Sequence, residues 1–181
     1  MISVRGFLRA LAAAALAAGC FASVGSAQQA GRPGDAVRAG GSGECVVSRI
    51  IDGDTFRCED GKRVRLLIVD AAEAGQGAWA DSAALLLQRI MPAGTRVRLE
   101  YDVATKDRYS RLLAYVHSGR VFVNRELARR GLALVAVYPP NVRHVGTIRA
   151  AADSARRERR GLWSGSSFAC SPADWRAGKC R

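Results

Sequence analysis

Apolar residues along residues 45–138 fall mostly in short β-prone runs bounded by turn residues, with strict alternation in one of them and helical spacing in another. Residues 45–51 carry Val46, Val47, Ile50 and Ile51, and Asp52-Gly53 follows as a turn dipeptide between two such runs. Residues 55–58 resume the strand, and Glu59-Asp60-Gly61-Lys62 makes a second turn. Residues 63–69 form a third strand, whose Leu66-Leu67-Ile68-Val69 run suits burial on both faces. Residues 95–101 alternate strictly, with Val97, Leu99 and Tyr101 on one face and Arg96, Arg98 and Glu100 on the other. Residues 112–116 read as another strand, and Gly119 marks a turn before 121–123. Helical spacing appears at Ala83, Leu86, Leu87 and Ile90 within 78–91, stopped by Pro92 and Gly94. Asn124 is expected to cap a short helix through Arg130, closed by Gly131. Residues 132–138 read as extended or irregular, and residues 145–160 as an amphipathic helix with a basic face, ended by Gly161.

The count is about five strands and three helices without βαβ alternation, an α+β chain that is mainly β. Several short antiparallel strands in one small domain suggest a closed barrel or a sandwich. The charge narrows the choice. The chain of 181 residues has a formal net charge of +12, which suits a polyanionic partner, and a five-stranded OB-type barrel is the natural candidate.

The two ends are read differently. Arg5 and Arg9, an apolar run over residues 11–24 and the small residues Gly25, Ser26 and Ala27 have the form of a secretory signal peptide. Its removal would leave a mature chain of +10. The alternatives are an uncleaved anchor, or lipidation at Cys20 within Leu16-Ala17-Ala18-Gly19-Cys20. Residues 28–43, rich in Gly and Ala, read as a flexible linker, so the folded domain is expected over 44–164 with a cysteine-bearing tail over 165–181. Outside the leader the cysteines are Cys45, Cys58, Cys170 and Cys180. An even number in an exported chain suggests two disulfides. Three pairings are open. Cys45 and Cys58 flank the first hairpin and could face each other across it, in which case Cys170 and Cys180 close a loop in the tail. No Cys-x-x-Cys spacing supports a metal site, and His117 and His144 read as surface or structural residues.

Three stretches offer chemistry suited to phosphodiesters, which need charge neutralisation at the phosphate, a base for water and donors for the crowded phosphorus. In Ile51-Asp52-Gly53-Asp54-Thr55, two carboxylates beside a turn suit a hard cation, although Asp-Gly can simply make the turn. In residues 63–73 a strand carrying Arg65 ends in Asp70 and Glu73, with Ala71 and Ala72 between them. In Lys106-Asp107-Arg108-Tyr109-Ser110-Arg111, arginines Arg108 and Arg111 supply the forked donors that bind phosphate, although a basic surface loop is the commoner meaning of such a run.

In order and spacing, these three stretches resemble the staphylococcal-nuclease family. The likeness continues through Val123-Asn124-Arg125-Glu126-Leu127, Arg130-Gly131-Leu132-Ala133 and Gly161-Leu162-Trp163, and so covers roughly residues 46–164. The resemblance implies an OB-fold barrel with flanking helices. It implies a calcium ion held by Asp54, Asp70 and the carbonyl of Ala71, with Glu73 as general base or orienter of water. Arg65 and Arg111 would grip the scissile phosphate, and Tyr109 and Tyr138 would touch the nucleotide. It further implies cleavage of DNA and RNA to 3′-phosphate ends. Relatives often have Thr and Pro where this chain has Ala71 and Ala72, so a less rigid loop and weaker metal affinity are expected. The loop after Glu73 also looks shorter and lacks lysines seen in some relatives.

Two other function classes compete. A binding module on the same barrel would hold single strands through a basic groove and aromatics without cutting them. A cationic protein bound to envelope polyanions would account for the charge but not for the acids. Nucleic acid is the expected partner. No stable protein partner is implied, and nothing indicates an oligomer.

Overall fold

The computed structural model describes residues 37–73, 75–76, 78–165 and 170–180; the leader and most of the linker lie outside them. The chain runs β1 (Ser42–Ile50), β2 (Thr55–Cys58), β3 (Arg63–Leu66), β4 (Val69–Ala71), α1 (Ala78–Ile90), β5 (Arg96–Glu100), β6 (Leu112–Ser118), β7 (Val121–Phe122), α2 (Val123–Arg129), β8 (Ala133–Val135), α3 (Val145–Arg157) and α4 (Pro172–Arg176), with a 3-10 turn at Gly161–Trp163 before α4. Among the described residues no helix is long and apolar enough to cross a membrane.

Strands β1, β2, β3, β5 and β6 form the expected five-stranded OB-type barrel. They lie in the order β3-β2-β1-β5-β6, and a parallel pairing of β3 with β6 closes the ring. The long β1 serves both halves: Ser42 to Val46 pair with β5, and Val47 to Ile50 pair with β2, with an irregularity between Val47 and Arg49. Such a bulge turns a strand from one partner to another. The barrel interior holds Val47, Phe56, Val64, Leu66, Val97, Leu99, Ala114 and Val116, all buried. The alternation expected over β5 is met, with Val97 and Leu99 inward and Arg96 and Arg98 exposed. A disulfide joins Cys45 to Cys58 across the first hairpin, Cα atoms 5.7 Å apart, and a second joins Cys170 to Cys180.

The structure departs from the sequence pattern in four places. The apolar run over 63–69 is not one strand. It breaks after Leu66, where Ile68 takes a positive φ of 64°, and resumes as β4 on a different partner, β8, within the stretch read as irregular. Both sides of the run are buried because it passes between the barrel and the helices, so its composition does not betray the corner. A β-branched residue at positive φ is strained by about 1–3 kcal/mol; here Ile68 is buried and its carbonyl accepts from the Ala136 amide at 3.0 Å. Second, Asn124 does not cap α2. The helix begins one residue earlier, and the fully buried Asn124 amide accepts from the Val116 N–H and donates to the Leu67 carbonyl, both at 2.9 Å. It pins the helix to β6 and to the corner before β4. Third, α3 stops at Arg157 rather than 160. Fourth, the tail contains a short helix, α4, capped by Ser171, whose hydroxyl accepts from the Asp174 amide at 3.0 Å.

Helices α2 and α3 pack together, burying Leu127 and Ala128 against Ile148, Ala151 and Ala155. The motif glycines Gly131 and Gly161 touch there: the Leu162 amide donates to the Gly131 carbonyl at 2.8 Å, and a Cβ on Gly131 would lie 2.3 Å from the Arg160 oxygen. His117 and His144 are structural, as expected. Both bond through Nε2 to Glu100, at 3.2 and 2.8 Å, and Arg143 joins them.

Two outcomes follow from this packing. Asn124→Ala orphans a buried N–H and a buried carbonyl, so it is expected to lower unfolding stability by about 2–4 kcal/mol, read by urea denaturation. Burial alone would raise the Glu100 carboxyl, but hydrogen bonds from His144, Arg143 and His117 outweigh it and hold the group at about 2. A depressed carboxyl stabilises the fold above its ordinary value of 4.5 and loses that contribution as pH falls through about 2. Melting temperature should therefore drop across that window, and Glu100→Gln should flatten the drop.

Candidate active site

The site forms where three loops meet at one end of the barrel. Asp52, Gly53 and Asp54 make the turn between β1 and β2; the Asp54 amide donates to Asp52 Oδ1 at 3.0 Å. Asp54 is buried. Its Oδ2 accepts from the Ala71 amide at 2.9 Å and its Oδ1 from the Thr55 hydroxyl at 3.0 Å. The turn fits only because residue 53 has no side chain, since a Cβ there would lie 2.6 Å from that of Ala71 and 2.7 Å from that of Ala83.

Arg65, on β3, spans the two aspartates. Its Nη1 lies 2.8 Å from Asp54 Oδ2 and its Nη2 2.9 Å from Asp70 Oδ1, while Nη1 also donates to the Val69 carbonyl at 2.8 Å. Burial pushes the Asp54 carboxyl well above the usual carboxylate range; Arg65 pulls it down, and the negative charges of Asp52 and Asp70 push it further up. Burial prevails despite the ion pair, which marks a buried carboxylate group short of positive charge. Asp70 is buried in β4, and Glu73 follows it at the rim, its amide bonded to the Gln76 side chain at 2.9 Å.

Arg111 enters from the far side of the chain. The parallel pairing sets Val64 against Leu112 and Arg65 against Leu113, so the residue before β6 stands beside the start of β3. Asp107 aims it: the carboxylate accepts from the Arg111 and Tyr109 amides and from Arg111 Nε at 2.7 Å. Although burial raises the Asp107 carboxyl, the Arg111 hydrogen bonds outweigh this and hold it low. Arg108 donates to the Tyr109 hydroxyl at 2.7 Å, and its guanidinium stacks over that ring. Asp52, Asp54, Arg65, Glu73, Arg108, Tyr109, Arg111 and Tyr138 all line one cavity of about 660 Å³. Tyr109 and Tyr138 stand exposed at its edge. Asp70 and Ala71 lie behind this lining, bonded to Arg65 and Asp54.

Every residue singled out from the sequence is therefore brought to this end of the barrel. Two more were not foreseen. Asp107 was read only as part of a basic run. Arg176, at the end of α4, donates to both oxygens of Asp70 at 3.0 Å and to Glu73. No spacing in the tail signals this contact; the bracketing cysteines show that the tail is held, not where.

The atoms that Asp54, Asp70 and the Ala71 carbonyl could offer a metal are all oxygen, and the carboxylates exceed what Arg65 balances, so the chemistry suits a hard divalent cation. Among the described residues no three His, Cys, Asp or Glu side chains form a ready metal cage, so a cation here would complete its shell with backbone carbonyl and water.

A closed OB-type barrel with buried aspartates and two arginines over one cavity defines a barrel nuclease. The chain belongs to the staphylococcal nuclease family: the family model described as "Staphylococcal nuclease homologue" matches residues 63–165. Thermonuclease of Staphylococcus hyicus is 36% identical over 126 residues, covering 65% of this chain and 74% of that one. Thermonuclease of Staphylococcus intermedius is 37% identical with the same coverage. Endonuclease YncB of Bacillus subtilis (strain 168) is 33% identical over 133 residues, covering 68% and 63%.

Gly53→Ala is expected to overpack the turn, costing about 1–3 kcal/mol, and to shift Asp54 away from Arg65. Both a lower melting point and reduced nuclease turnover should result.

Proposed function

We propose that the chain is an exported, calcium-dependent nuclease that hydrolyses phosphodiester bonds in DNA and RNA and leaves 3′-phosphate ends. The observation that carries this reading is the convergence of Arg65, Glu73 and Arg111 on one cavity above Asp54 and Asp70. Export rests on the leader-like residues 1–27, and the products and the metal rest on the resemblance to the family.

In this reading Arg65 and Arg111 hold the non-bridging oxygens of the scissile phosphate. Forked guanidinium donors match that geometry and oppose the charge that builds as water attacks. Glu73 takes the proton of the attacking water, a contribution of roughly 10²–10⁴ in rate. Tyr109 and Tyr138, at the cavity edge, offer ring faces and hydroxyls to the nucleotide, and Arg108 adds attraction for the backbone. Calcium held by Asp54, Asp70 and the Ala71 carbonyl would supply further neutralisation of the phosphate charge. Asp107 acts through Arg111, by holding its guanidinium over the cavity.

Plasmid DNA incubated with the mature protein should be degraded with calcium and spared with a chelator; cleavage that persists in chelator would exclude the metal. Glu73→Gln should lower kcat by roughly 10²–10⁴ with folding intact. Arg111→Ala should lose on the order of 10³ or more, by comparison with arginines in phosphoryl transfer. Tight retention of DNA without cleavage by the wild type would establish the binding module instead.

A further inference from the structure

We propose that the disulfide-closed tail, residues 170–180, is an autoinhibitory strap in which Arg176 engages Asp70, a carboxylate the divalent cation would use, together with Glu73, the base. The inference rests on the metal-dependent reading above and adds a regulation to the same site.

Three features hold the strap. Cys170 and Cys180, with Cα atoms 5.9 Å apart, close a short loop around α4. The Gln76 side-chain amide donates to the Cys170 carbonyl at 2.9 Å, while the same Gln76 accepts from the Glu73 amide, so the strap is fastened to the loop that carries Glu73. Arg176 then reaches Asp70 behind the cavity lining. Its Nη1 and Nη2 each lie 3.0 Å from an oxygen of Asp70, and Nη1 also pairs with Glu73.

This contact conflicts with the work assigned to the two carboxylates. Asp70 Oδ1 already accepts from Arg65, and with Arg176 both of its oxygens face guanidinium N–H groups. A divalent cation that takes an Asp70 oxygen competes with two guanidinium groups already bonded to that carboxylate and adds charge repulsion to both. Glu73 is likewise a weaker base while its Oε1 holds Arg176, because the ion pair favours the charged carboxylate. Arg65 is largely buried and bonded to the backbone, whereas the Arg176 side chain is 42% exposed, so Arg176 is the group that yields.

The strap is built to release. None of residues 170–180 belongs to the hydrophobic core. Pro172 on α4 is buried, whereas the contacts of Gln76 and Arg176 that fasten the strap to the site are hydrogen bonds and ion pairs, which solvent screens. Opening therefore leaves the barrel intact and exposes Asp70 and Glu73 together.

Calcium titration by calorimetry, on the mature chain without nucleic acid, reads this competition directly. Arg176→Ala should bind calcium about tenfold more tightly, the size of one charged hydrogen-bonded contact removed from the competition. Equal or weaker binding by the variant overturns the strap. If both proteins bind calcium equally, the strap alone fails and the nuclease reading stands; if neither binds, the metal assignment fails with it. A second measurement uses the wild type. Calcium should accelerate trypsin cleavage after Arg176, read by mass spectrometry after reduction, and a rate unchanged or slowed by calcium overturns the proposal.

Discussion

The parallel pairing of β3 with β6 is the constraint on which the rest of the molecule depends. It closes the barrel, and with it the ladder of hydrogen bonds that no open edge could complete. It also sets Arg65 against Leu113, which brings two arginines from distant parts of the chain to one cavity. Each neighbouring feature is adjusted to that closure. The bulge in β1 lets a single strand serve both halves of the ring. The corner at Ile68 carries the chain off the barrel, so that Asp70 lies under Arg65 rather than in line with it.

Within that frame the site is governed by a shortage of positive charge in a buried place. Asp54 is so desolvated that Arg65 does not restore its carboxyl to the ordinary range. Buried carboxylates that close together need a cation. Arg65 supplies part of the balance permanently; Arg176 supplies more from the exposed tail. Under the proposed reading a divalent ion and Arg176 are two solutions to one electrostatic problem, and the more exposed of the two arginines is the one placed to yield.

Much of the fold was legible in the chain because its causes are local. Strict alternation over β5 marks a strand with one wet face, and Asp52-Gly53 marks the turn that later carries Asp54. The hairpin made the pairing of Cys45 with Cys58 one of three open choices, and the folded structure selects it. The motif glycines Gly131 and Gly161 have a physical cause visible only in three dimensions: two backbone segments meet there at a distance that leaves no room for a Cβ. Asn124 misled for a related reason. A polar residue at a helix start normally caps it, but here the deep position beside β6 and Leu67 offered buried partners, and the tertiary demand prevailed.

By itself the sequence determined the strands, the turns, the basic charge and the set of residue types able to act on a phosphodiester, because each depends on neighbours a few positions away. Only the tertiary structure decided which of them meet. The break at Ile68, whose carbonyl meets Ala136, and the arrival of Arg176 on Asp70 and Glu73 join residues far apart along the chain, and the four-residue reach from Asp107 to Arg111 is a loop contact that no helical pattern announces. Contacts of that kind are selected by burial and charge balance in the closed barrel, and those quantities do not exist until the chain has folded.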